Sequence, residues 1–262
     1  MKNTFTCLLS FTLIFSGIYG CNKNEVKQHP TPVAQLQSAT GHNSSTLNHG
    51  ALHNKVVWAY ISAKPQEQTA FTKAEVLQMT RDILTIMADE GYYEGHLEEP
   101  EVLSAEMLAG MEAIGYFNPS GKLKSIQELK ELPLYADNDN PLQKTINKIN
   151  LIQAGTGADF ILAAKNEMNN LSGTAFQATA LAFNSIIDSS YAMTPVLVTF
   201  ALPSLMLPSA SNLRVAYADA KGYTEGTKAA QDLGKNSLQQ DIWGMTYSTT
   251  RSVQQLKREL GM

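Results

Sequence analysis

Beyond residue 21 this chain has no cysteine; its two, Cys7 and Cys21, stand near the N-terminus. A body without thiols forms no internal disulfide and offers neither a thiolate metal site nor a cysteine nucleophile. Histidine is equally sparse: His29, His42, His49, His53 and His96 all precede residue 97. Past the first twenty residues no uninterrupted apolar run is long enough to span a bilayer. A basic tract is also missing. The formal charge is −4, and loss of the first twenty residues with Lys2 makes it −5, so nucleic acid is excluded as a partner. Gly-x-Ser-x-Gly elbows, His-Glu-x-x-His helices and a repeat of fixed period are absent too.

What is present begins with an N-terminus in three zones. Lys2 carries a positive charge, residues 5–18 are mostly apolar without an acid, and Gly17 and Gly20 bring small residues before Cys21. That order is the make-up of a secretory signal peptide. Ile18-Tyr19-Gly20-Cys21 resembles the lipobox of bacterial lipoprotein precursors, with Tyr19 bulkier than the usual residue there. The resemblance implies that Cys21 is thioether-linked to diacylglycerol and becomes the acylated N-terminus, so the lipidation site is Cys21. Two or three acyl chains hold firmly where one binds reversibly. Asn22 follows the cysteine where an aspartate would imply inner-membrane retention, so the resemblance favours the outer membrane.

Residues 22–54 are poor in apolar side chains and rich in Pro, Ser, Asn, Gly and His, which predicts a flexible tether. The expected organisation is therefore a leader over 1–20, a lipid-anchored tether over 21–54 and a globular domain over 55–262.

Within that domain helix signals follow one another. Thr72-Lys-Ala-Glu75 and Ser125-Ile-Gln-Glu128 are capping boxes, and Asn140-Pro141 suits a cap and first turn. Helices are predicted from residue 72 to Gly91, from Pro100 to Ile114, from Asn140 to Ile152 and from Thr156 towards Leu171. The clearest runs from Thr174 to Met193, where Phe176, Ala180, Phe183, Ile187 and Tyr191 form one stripe. Its alanines, Ala175, Ala178, Ala180 and Ala182, invite close packing. Shorter helices are expected over 212–221, 224–233, from a cap at Ser237, and over 250–260. Asn118-Pro-Ser-Gly121 is a turn that leaves room for one small β-hairpin. The fold expected is mostly all-α, an irregular multi-helix bundle.

Candidate chemistry is thin. Gly155-Thr-Gly157-Ala-Asp-Phe160 lacks the third glycine and preceding strand of a dinucleotide loop, so it reads as a helix break with a cap at Thr156. Gly115 to Lys122 has the wrong spacing for a phosphate loop, and Asp137-Asn-Asp139-Asn140 lacks the glycine and glutamate of a calcium loop. His49 and His53 share a face if their segment is helical, but a tether gives them no rigid third ligand, so they read as solvated. Residues 89–101 gather Asp89, Glu90, Glu94, His96, Glu98, Glu99 and Glu101, read as a solvated connection ahead of a helix N-terminus. No catalytic, cofactor-binding or metal residue is assigned, and no cofactor is expected.

The functional expectation is a non-enzymatic cell-envelope lipoprotein, held to the membrane through its lipid anchor, that serves as a binding, adaptor or structural protein with another envelope protein as its candidate partner. Two alternatives stand beside it. One is a lipid-binding module using the uncharged, proline-punctuated stretch 194–208, otherwise read as core. The other is an envelope hydrolase with a dispersed acidic site near His96.

Overall fold

A helix buried on every side normally reads as apolar on every side. Two stretches here are buried residue after residue, 218–230 and 241–253, yet they carry Asp219, Lys221, Glu225, Asp241 and Arg251. They form the axis of the molecule. The computed structural model describes residues 48–63, 70–93, 95–97, 99–125, 128, 139–201 and 209–261. The leader, Cys21 and most of the expected tether lie outside these residues. Among the described residues the chain forms eight α-helices and no β-strand. They are α1 (His49–Ala63), α2 (Lys73–Asp89), α3 (Pro100–Ala113), α4 (Pro141–Asn150), α5 (Gly157–Asn169), α6 (Gln177–Ala201), α7 (Ser209–Asp232) and α8 (Ser237–Glu259).

Local chemistry sets most boundaries. Thr72 and Glu75 close a capping box at α2, Asn140 accepts from Leu142 and Gln143 at α4, and Thr156 caps α5. The cap of α8 is Asn236 with Gln239, one residue before the expected Ser237. The 118–121 turn is present, but Phe117 and Leu123 make an isolated bridge and not a hairpin of strands.

Three segments depart from expectation. Helix α1 opens at His49, inside the stretch expected to be tether, and residues 50–54 are buried. The segments expected as four short helices after residue 209 are two long ones, α7 and α8. Helix α6 starts at Gln177, leaving Ala175 and Ala178 exposed, and runs through Pro195 to Ala201. Proline removes one backbone donor there, and Thr194 and Thr199 add side-chain bonds to the carbonyls of Ser190 and Pro195 at 2.7 and 2.8 Å. Thr194, Leu197 and Val198 are buried while Pro195 and Thr199 are exposed, so the described part of the 194–208 stretch turns one face to the core; residues 202–208 lie outside the described residues.

Helices α7 and α8 pair along much of their length, α6 lies against α7, and α1 packs on α6 and α8. The α2–α3 pair and the α4–α5 pair flank this centre. The seam between α7 and α8 is made by glycine. A β-carbon on Gly222 would stand 2.9 Å from the carbonyl oxygen of Tyr247, and one on Gly244 would stand 2.7 Å from Thr227 Oγ1. At Gly226 it would run into the carbonyl of Trp243. Buried hydroxyls on α8 are absorbed by carbonyls: Thr246, Thr249 and Thr250 bond one turn back at 2.9, 3.1 and 2.9 Å, and Ser248 bonds Asp219 O at 2.7 Å.

Gly226→Ala should therefore destabilise the fold by about 1–3 kcal/mol, because rigid backbone faces the new methyl. Thermal unfolding should show a melting temperature lowered by about 2–4 °C per kcal/mol. A variant melting at or above wild type would contradict the seam.

Candidate functional site

His49 and His53 stand one turn apart on α1 and so face the same way. Each meets an aspartate from the axial pair. This corrects their reading as solvated tether residues: His53 is fully buried and His49 nearly so.

His49 belongs to a hub around Asp241. Its Nε2 lies 2.8 Å from Asp241 Oδ1, Tyr93 donates its hydroxyl to Oδ2 at 3.0 Å, and the Tyr223 hydroxyl donates to Oδ1. The His49 and Tyr223 rings meet edge to face at 5.5 Å. Four elements converge here: α1, the α2–α3 connection, α7 and α8. Tyr93 reaches the hub with a backbone φ of +54°, a conformation bulky L-residues rarely adopt. Burial, then the charge of Asp241, pushes both phenols well above their ordinary pKa, so they are neutral donors. The first turn of α1 is fastened again beside the hub, where Gly50 N donates to Ser185 Oγ at 3.0 Å and Asn48 caps Ala51 N.

His53 sits in a second, sealed centre. Its Nε2 is 3.9 Å from Asp219 Oδ2, and its Nδ1 is 3.2 Å from Ser190 Oγ. Asn54, Met193, Leu197, Ser252 and Leu256 wall a narrow cavity at the same place. Serine, histidine and aspartate thus stand in line, but each is about 1% exposed, leaving no approach for an acyl substrate. Burial lowers the His53 pKa from 6.5 to about 4, against hydrogen bonds to Asn54 and the Ser248 backbone. Burial raises that of Asp219 from 3.8 to about 8, against hydrogen bonds with Ser190 and Ser252. Between those limits the pair holds one proton, wherever that proton resides.

A third buried centre fixes the 116–124 turn. Arg251 bonds Glu225, Gln254 and the carbonyl of Lys124 at 3.3, 2.8 and 2.7 Å, and its guanidinium lies 4.7 Å above the Tyr116 ring. On the surface, an open cleft of about 800 Å³ runs along residues 152–157, with Phe160, Tyr191, Leu213 and Arg214 in its walls.

The acidic stretch near His96 does not form a site among the described residues. His96 is exposed, Glu90 pairs with Lys55, and Glu101 lies 3.9 Å from Arg81. Glu94 and Glu98 lie outside the described residues. Tyr92 and Leu97 of that stretch join the core, and Tyr93, whose sequence signal was only its place between Gly91 and Gly95, reaches the hub. No cluster of three or more His, Cys, Asp or Glu residues gathers among the described residues. No described helix is long and apolar enough to cross a membrane. Comparison with protein-family models, curated proteins and solved structures returns no match.

The single shared proton fixes a pH dependence. Between about pH 4 and 6.5 folded and unfolded chains each hold one proton on these two groups, so their contribution is flat. Between 6.5 and about 8 the folded pair keeps a proton that the unfolded chain has lost, so stability falls as pH rises, by about 2 kcal/mol in all. Urea unfolding from pH 6 to 8 should show this loss, and Asp219→Asn should level the profile above 6.5. A variant profile with the wild-type slope would contradict the assignment.

Proposed function

We propose that this chain is a lipid-anchored protein of a bacterial cell envelope, held through Cys21, whose helical body acts by binding another envelope component. The observation that carries this reading is Ile18-Tyr19-Gly20-Cys21 directly after an apolar leader. Asn22 favours the outer membrane.

Features of the body support the reading. The first turn of α1 is fastened to α6 and α8 by the Asn48 cap, the Gly50–Ser185 bond and the Asp241 hub. The Phe160–Tyr191–Leu213 cleft gives concave, largely apolar surface with a cation at its edge, the kind of surface that receives a ligand or partner segment. The Ser190–His53–Asp219 line is closed to substrate, and this favours binding over hydrolysis.

Growth with labelled palmitate tests the anchor. The wild-type chain should incorporate label and fractionate with membranes, and Cys21→Ser should take up none and remain at precursor mass. Incorporation of label by that variant would reject the lipobox reading.

A further inference from the structure

The four side chains of the Asp241 hub are more than a satisfied hydrogen-bond cluster: we propose that His49, Tyr93, Tyr223 and Asp241 form a binding site for a hard trivalent cation, ferric iron. The inference is independent of the anchor.

The first ground is the donor set. One imidazole nitrogen, one carboxylate and two phenol oxygens converge from four separate elements. Anionic oxygens suit hard cations, and imidazole is a common iron ligand. The second ground is spacing. Donors on neighbouring corners of an octahedron with bonds of about 2.0–2.1 Å stand about 2.9 Å apart. His49 Nε2 and Asp241 Oδ1 are separated by 2.8 Å, and Tyr93 Oη and Asp241 Oδ2 by 3.0 Å.

Charge fits a trivalent ion. Asp241 and two phenolates carry three negative charges with His49 neutral, which cancels a trivalent ion in a largely buried site. Both phenols donate their hydroxyl protons to Asp241, so each carries a proton without metal. Binding therefore releases two protons as two iron–oxygen bonds form, with no change in oxidation state.

The third ground is backbone geometry. Tyr93 holds φ at +54° between Gly91 at +72° and Gly95 at +74°, and its hydroxyl crosses 148 positions of sequence to reach Asp241. Such conformations persist where surrounding structure enforces them and concentrate at binding and catalytic sites. The His49 side chain is 13% exposed and that of Asp241 6%, so the hub lies close beneath the surface.

Ferric nitrilotriacetate titrated into the purified full chain at neutral pH tests the proposal. A visible phenolate-to-iron charge-transfer band should grow and saturate at one iron per chain. Tyr93→Phe and Tyr223→Phe keep each ring and should each weaken binding at least tenfold; the double variant should show no band. His96→Ala should titrate like wild type. Circular dichroism reports whether each variant is folded. Where one is not, resonance Raman of the wild-type complex decides, enhanced tyrosinate modes supporting the site and their absence overturning it. No visible band in the folded wild-type chain, or a band surviving in the folded double variant, overturns it as well.

Discussion

The structure depends on how closely α7 and α8 approach each other. Gly222, Gly226 and Gly244 remove the β-carbons that would hold the two backbones apart. Contact at that distance wraps thirteen consecutive residues of each helix, 218–230 and 241–253, away from solvent. A helix pair so enclosed would ordinarily be apolar throughout. This one is rich in hydroxyls and charges, and its stability therefore rests on each polar group finding an internal partner. The threonines solve this locally by bonding back along their own helix, and Ser248 solves it across the seam. The carboxylates cannot.

Three buried carboxyl groups meet three different solutions. Asp241 gathers an imidazole and two phenols. Glu225 takes the guanidinium of Arg251, with Lys221 at 3.9 Å. Asp219 has no cation at hydrogen-bond distance in its cavity and keeps a proton instead, because desolvation costs more than the neighbouring hydroxyls return. These differences follow from what faces each carboxyl group. The hub at Asp241 lies where the α2–α3 connection can insert Tyr93, Glu225 lies under the 116–124 turn, and Asp219 lies under the closed face of α6. One helix supplies the histidine in two of the three cases: α1 places His49 and His53 one turn apart, against aspartates on different helices.

The helical character of the chain was legible because it is written locally. Thr72 with Glu75, Asn140 with Pro141 and Thr156 each state a helix start in a few residues, and each caps a helix in the structure. The fusion of four expected helices into α7 and α8 was not legible for a physical reason. Gly222 falls at the expected break between two of them, since glycine lowers helix propensity by about 1 kcal/mol, whereas packing against α8 makes it a contact point. The same reason hid both polar centres. "NHGALHN", residues 48–54, has the composition of a solvated tether, and only tertiary burial against α6 and α8 turns its histidines inward. Tyr93 lay in a run whose charges drew attention to His96. Its phenol matters through Asp241, far away in sequence, and no local pattern announces a contact of that range.

The hub couples what would otherwise be separate parts. His49 belongs to the first turn of α1, Tyr93 to the connection between two flanking helices, and Tyr223 and Asp241 to the axial seam. A group that binds all four spends its binding free energy on holding those elements together, so occupancy and folding become linked quantities. The linkage acts in both directions. Loosening the glycine seam would separate Tyr223 from Asp241 and weaken any bound cation, and a bound cation would resist opening of the seam. The residues that make the axis polar are therefore also the residues through which a ligand could stiffen it.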